Sequence, residues 1–252
     1  MFMRLFQVKV NPAYTEQFKN FYEVSVFPQL QKMTGCIFAG LIKSGPDNNE
    51  YISITFWETL KNAEDFENSE IFNDLITKEK SFFSESNEWK IQLSDRMELE
   101  YAPVIEEPVV KKYSVELQKE NGDKLVLKNP QMYLRIVSLK IQKNLIDEFK
   151  KFYLDKIIPA LKETEGCRHV FLSENLIEKD EFISVTIWDS KKHVEDYEGG
   201  GKFKDLVEQI KHTFSQFYLW KIDLENEYNA KIKTTDDMQV KTYDLVTGKS
   251  FF

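Results

Sequence analysis

The stretch ISITFWE at residues 52–58 returns as ISVTIWD at residues 183–189, 131 positions later, and this repetition decides how the rest of the chain is read. The same spacing carries Arg4 to Arg135, Phe21-Tyr22 to Phe152-Tyr153, Pro28 to Pro159, Gly35-Cys36 to Gly166-Cys167 and Trp89-Lys90-Ile91 to Trp220-Lys221-Ile222. Without gaps, roughly a third of the positions from Arg4 to Leu93 are identical to their counterparts. Solenoid repeats are only about 20–50 residues long, so the duplicated object is a whole domain. A further match, VKKYSV from Val110 against VKTYDL from Val240, gives each copy a trailing strand. The division that follows is a first unit over residues 1–117, a connecting turn and strand over 118–131, and a second unit over 132–252. Within the connection, Asn121-Gly122-Asp123 carries an Asn-Gly turn signal between two short strands.

Inside each copy the apolar period switches between two and 3.6. Residues 3–10 and 133–141 alternate as strands. Residues 13–33 and 144–164 place Phe18, Phe21, Tyr22, Val26 and Leu30, and correspondingly Phe149, Phe152, Tyr153, Ile157 and Leu161, on one helical face, with Pro28 and Pro159 expected to kink or end the helix. Strand pairs follow over 36–44 with 50–58 and 167–175 with 181–189, the first joined through Ser44-Gly45-Pro46-Asp47-Asn48. Then come a short and a longer helix, and a last strand around Met97, Leu99 and Tyr101 or Tyr228, Ala230 and Ile232. The order β-α-β-β-α-β is the ferredoxin-like split βαβ arrangement, an α+β class. Apolar residues on both strand faces predict that the two units pack sheet to sheet, an intrachain pseudo-dimer that leaves the chain a monomer.

The 252 residues carry 42 acidic and 34 basic side chains, a formal charge of −8, which points away from nucleic acid and anionic membranes as partners. No run approaches the length of a membrane span and the amino terminus lacks a signal pattern, so a cytoplasmic location is expected. Two cysteines and the absence of CxxC or HExxH remove disulfide frameworks and zinc sites from consideration.

The run FWETLKNAEDFENSEIFNDL from Phe56, with its counterpart IWDSKKHVEDYEGGGKFKDL from Ile187, resembles the antibiotic biosynthesis monooxygenase (ABM) superfamily of dimeric α/β barrels. The aromatic-Trp-acidic ending of the third strand and the Gly-Cys that opens the second strand carry the resemblance. It implies two ABM-like units in one chain. It also implies one of several activities, among them cofactor-independent oxidation of aromatic or quinone-like compounds, heme degradation, or no reaction. The heme-degrading branch uses an Asn on strand one, a Trp on the short helix and a His on the longer one. This chain has Leu5 or Gln7, Phe66 and Ile76 there, and Ile136 or Ser138, Tyr197 and Val207 in the second copy. None of the three is kept.

Candidate site residues each have a plainer reading. Trp57 and Trp188 either wall a pocket for a planar substrate or pack a core, and the same choice holds for Phe203, Tyr22, Tyr153 and Tyr197, whose buried hydroxyls need partners. All three histidines lie in the second copy. His169, expected to share a strand face with Cys167 and Phe171, is either a general base or a hydrogen-bonded structural residue; His193 and His212 are assigned no chemistry. Gly199-Gly200-Gly201 stands where the first copy has Asn68-Ser69-Glu70 and reads as a loop or lid. Arg4 and Arg135 are structural ion-pair residues or anchors for an anionic substrate. Cys36 and Cys167 are buried small residues.

Two functional readings follow. The first is an ABM-like oxygenase with no cofactor, acting on a small aromatic or quinol-like substrate, with His169 and Tyr197 in the polar roles, Trp188 and Phe203 with Tyr153 as walls, and Trp57 with Tyr22 in the first copy. The alternative is a non-catalytic ligand-binding or structural protein, with heme binding without degradation as a lesser variant. Because His169, Arg168, Tyr197 and the glycines differ from their first-copy counterparts, the second pocket is expected to be the functional one.

Overall fold

The computed structural model describes all residues except 46–48, 94–98, 106–107, 121–131, 229–236 and 252. The Asn121-Gly122-Asp123 turn, the loop centre Pro46-Asp47-Asn48, and Met97, Ala230 and Ile232 therefore lie outside the described residues. The chain forms two compact units, one of Met1–Lys111 with Val246–Phe252, the other of Lys112–Leu245.

The first unit runs β1 (Phe2–Lys9), α1 (Thr15–Phe21), a π turn (Tyr22–Val26), α2 (Phe27–Leu30), β2 (Cys36–Lys43), β3 (Glu50–Trp57), α3 (Leu60–Glu67) and α4 (Glu70–Glu79). The strand β3 is central, pairing antiparallel with β1 (Phe2↔Trp57 to Lys9↔Glu50) and with β2. Both of its faces are buried, as the run Tyr51–Trp57 with few polar side chains requires. Two strands follow, β4 (Glu85–Leu93) and β5 (Leu99–Ile105), paired in a separate two-stranded sheet.

Pro28 does not end its helix. The N–H of Phe27 bonds to the carbonyl of Tyr22, a π-type closure, and the helix continues through Pro28 to Leu30. A proline in an α-helix clashes with the carbonyl four residues back; the one-residue widening of the turn before it relieves that clash and absorbs the missing donor. The second unit repeats the device at Tyr153–Ile157, with Ile158 bonding to the Tyr153 carbonyl ahead of Pro159. In both copies the first residue of the widened turn is the buried tyrosine.

β6 (Val109–Glu120) leads into the second unit, which continues β7 (Tyr133–Lys140), α5 (Ile146–Phe152), the π turn, α6 (Ile158–Lys162), β8 (Cys167–Asn175), β9 (Glu181–Trp188), α7 (Lys191–Gly199), α8 (Lys202–Ile210), α9 (Gln216–Tyr228) and β10 (Gln239–Ser250). Its sheet order is β10-β7-β9-β8-β6. The ferredoxin-like fourth strand of this unit is thus the trailing strand β10, beside β7 with Gln239↔Ser138 to Asp244↔Tyr133. This corrects the expectation of a strand at Tyr228, which ends helix α9. The repeated Trp-Lys-Ile lies on a strand at Trp89 and on a helix at Trp220, since three apolar-polar-apolar residues satisfy either period.

A bulge corrects a second expectation. Along β8, Cys167 pairs with Trp188 but His169 pairs with Ile187, so two residues of β8 advance against one of β9. The extra residue turns Cys167 to the helix side, where it packs with Trp188, Val170 and Leu172. His169 and Phe171 take the other face, their rings stacked at 6.2 Å.

Candidate active site

Both units are built around an arginine on the first strand. Arg4 Nε donates to Glu67 Oε1 and Arg135 Nε to Glu198 Oε1, each at 2.7 Å, from side chains only 6% and 3% exposed. The acidic partner comes from the first of the two later helices in both copies. Threonine at N-cap of α3 and serine at N-cap of α7 (Thr59, Ser190) fix where those helices begin. Each arginine is thus ion-paired, and each guanidinium also lies over aromatic rings. Arg4 lies over Phe6 at 5.1 Å and Phe72 at 5.0 Å, Arg135 over Tyr197 at 5.7 Å and Phe203 at 4.2 Å.

The sheet side of the second unit opens into a cavity of about 50 Å³. Its buried floor is Arg135, Val137, Leu139, Tyr153 and Ser184, and Ile157, Phe203, Val207 and Met238 form a half-buried rim. The missing volume has a cause in the sequence. Where the second unit has Val137, the first has Phe6, whose ring fills the space beneath the arginine. As built, the space is smaller than the roughly 150 Å³ that admits a benzene ring, so a ring enters only as the rim side chains yield.

The polar members of the lining are Arg135, Tyr153, Ser184 and Tyr197. Tyr153 Oη and Ser184 Oγ are 2.6 Å apart. Arg135 Nη2 is sealed from solvent with no hydrogen-bond partner; a buried donor left this way costs about 1–3 kcal/mol. No atom of Arg4 is in that condition among the described residues. Burial pushes the Tyr197 phenol up to about 12, against the lowering effect of Arg135, and pushes Tyr153 higher still, against its hydrogen bond with Ser184. Both phenols are therefore neutral at physiological pH. Among the described residues the lining holds no carboxylate, imidazole, amine or thiol; chemically, these residues donate hydrogen bonds and accept few.

The first unit treats the same positions differently. Tyr22 donates to Glu79 Oε1 at 2.8 Å, and Glu79 is 3% exposed. Its counterpart in the second unit is Ile210. Burial, opposed by the Tyr22 hydrogen bond and by Arg4, raises the Glu79 carboxyl to about 7. The rings of Phe18, Phe21, Tyr22 and Phe82 pack edge to face or tilted around this pair, whereas the second unit has Thr213 at the place of Phe82.

Of the residues singled out in the sequence, Tyr153, Tyr197 and Phe203 line the cavity. Trp188 stands behind it, fully buried, with its ring 5.3 Å from Tyr197 and its indole N–H on Thr186 Oγ1 at 2.8 Å. Trp57 repeats this against Thr55 and Phe66. His169 is buried on the sheet face away from the helices and does not line the cavity. His193 sits at the start of α7, bonded to Ser190, and His212 pairs with Glu148. Gly201 caps α8 from the left-handed region at φ 82°, which accounts for a glycine there. Burial raises both cysteine thiols to about 12. Ser184 and Val137 were missed as site residues. The signal for Val137 was the mismatch with Phe6 in the aligned copies, and Ser184 lies inside the repeated stretch itself.

No helix among the described residues is long and apolar enough to cross a membrane. No match emerges among curated proteins. Three solved structures share the fold. A candidate monooxygenase from Fusobacterium nucleatum aligns with a TM-score of 0.70 at 9% identity over 99% of this chain and 94% of that one. Another from Lactobacillus acidophilus gives 0.67 at 7% over 99% and 95%. An anthrone oxidase-like protein gives 0.58 at 13% over 99% and 92%. At such identities they speak to fold alone. The profile of the antibiotic biosynthesis monooxygenase family matches twice, over residues 1–78 and 132–209, more than half of the chain. With two ferredoxin-like units and a family match in each, the chain belongs to the antibiotic biosynthesis monooxygenase family.

Proposed function

We propose that this protein is a monooxygenase acting in the cavity of the second unit on a small aromatic or quinol-like compound, without metal or flavin. The observation that carries the reading is the Val137 cavity, a largely apolar chamber whose lining includes Arg135, Tyr153, Ser184 and Tyr197. Apolar walls exclude water from a reactive, electron-rich substrate, and fixed donors hold the oxygen on which negative charge develops. The reaction balances as substrate-H₂ plus O₂ giving substrate=O plus water, the substrate supplying the electrons. Tyr153 and Tyr197 act as hydrogen-bond donors, and Phe203 is a movable wall. Oxygen uptake is the test, measured on the whole chain with anthrone-like compounds and quinols. One O₂ consumed per substrate is expected, and no uptake from any of them removes the reading.

A second reading, a ligand-binding protein without turnover, is favoured by the volume of about 50 Å³, which leaves little room for O₂ beside a ring. Saturable binding of these compounds with no oxygen consumed would select it.

A further inference from the structure

Two aromatic residues flank the turn between the later helices in each unit, Phe66 and Phe72 in the first, Tyr197 and Phe203 in the second. In the first unit Ser69 ties that turn. Its Oγ donates to the Phe66 carbonyl at 2.6 Å and accepts from the Phe72 N–H at 3.2 Å, so one hydroxyl holds the backbone of both aromatic residues. In the second unit Gly200 stands at the place of Ser69, and α8 begins from Gly201 with no side-chain cap. The tie is gone, and glycine also weakens the helix end that it occupies. Gly199, the last residue of α7, is not imposed by crowding, since a Cβ there would meet nothing within 4 Å. Tyr197 and Phe203 both line the cavity of about 50 Å³, which is too small for a ring as built. Tyr197 also borders a second, polar cleft of about 200 Å³, whose lining includes Glu163, His193, Asp196, Gly200 and Lys202. Open volume therefore lies beside the residue that has to move. A few residues at the end of an element are enough to absorb such a movement.

We propose that Gly199–Gly201 is a hinge between α7 and α8, and that its opening parts Tyr197 from Phe203 and admits a ring compound to the cavity of the second unit. This rests on the preceding reading for the choice of cavity, and it concerns access rather than turnover. The first unit does not share the device, because Ser69 holds the equivalent turn.

The probe is toluene, an uncharged ring, titrated calorimetrically into the full-length chain. Giving the second unit the first unit's turn, as Gly199→Asn, Gly200→Ser and Gly201→Glu together, is expected to weaken toluene binding at least about tenfold, the scale of the two hydrogen bonds supplied. Ser69→Gly is expected to leave binding unchanged. Amide exchange in the unmodified chain, read residue by residue, needs no ligand. The N–H groups of Gly200 and Asp205 bond to the carbonyls of Asp196 and Gly201 at 2.9 and 3.0 Å, as those of Asn68 and Asn73 do to Glu64 and Ser69 at 2.9 and 3.4 Å. Despite these matched bonds, protection at Gly200 and Asp205 is expected to be at least about tenfold lower than at Asn68 and Asn73. Should the triple variant fail to fold, Gly199→Ala fits the open space and is expected to raise protection at Gly200 and weaken toluene binding about threefold. Equal protection at the two turns overturns the proposal. So does toluene binding that the folded variants leave unchanged, an equal loss in Ser69→Gly, or no binding of toluene at all. Toluene binding that responds to the turn, without oxygen uptake from any quinol, leaves the hinge standing and removes the oxygenase; oxygen uptake with equal protection at the two turns does the reverse.

Discussion

The two units share a backbone plan and differ in what fills the space between helices and sheet. In the first, Phe6 lies under Arg4, and Glu79 accepts from Tyr22 in an aromatic-packed interior. In the second, Val137 and Ile210 occupy those two positions, the Tyr153 hydroxyl turns to Ser184, and a cavity remains beneath Arg135. One ring and one carboxylate distinguish the two interiors at these positions. The comparison teaches that duplication kept the ion pair, the tryptophan and the π turn in both copies, which build the fold, while the positions that set internal volume and charge diverged.

Exchanging the residues at those positions should move the difference from one unit to the other. The largest effect is expected from Val137→Phe, which gives the second unit the first unit's filling. Ligand binding and any oxygen uptake should fall by more than about a hundredfold, with overpacking costing about 1–3 kcal/mol in urea unfolding. If binding persists, the cavity is not the site. The reciprocal change, Phe6→Val, deletes a buried ring and should destabilise by about 2–4 kcal/mol; a loss under 1 kcal/mol would mean that neighbouring rings collapse into the space.

Glu79 gives a pH-dependent contrast. Its carboxyl is raised to about 7 in the folded chain, so between the ordinary Glu value and about pH 7 the folded state holds more protons than the unfolded one. Stability from this group is therefore lost as pH rises through that window and is level above it. Glu79→Gln should flatten the slope and stabilise the chain at pH 8 by about 1–3 kcal/mol, read from urea unfolding at pH 5 and pH 8. An unchanged slope would show the carboxyl to be solvated. A smaller change is expected at Tyr153→Phe, which removes one buried hydrogen bond with Ser184 and should cost about 1 kcal/mol. The smallest belongs to Trp220→Ser. This exposed ring stacks on Phe217, at 5.5 Å, and thermal unfolding should move by no more than about 0.5 kcal/mol equivalent.

By itself the sequence determined the duplication, the order of strands and helices through Ile210, the matched arginines and the buried tyrosines, because those rest on local period and on comparison of the chain with itself. Tertiary structure alone decided the rest. The bulge in β8 reversed the face of Cys167 relative to His169, and a bulge leaves no trace in the alternation of residue types. Trp-Lys-Ile fits a strand or a helix, so its neighbours in space chose β4 in one copy and α9 in the other. The cavity is a difference between side-chain volume and backbone spacing, and only the second of those is absent from the sequence. That Arg135 Nη2 is buried without a partner depends on the distance of every acceptor around it, which folding sets across residues far apart in the chain.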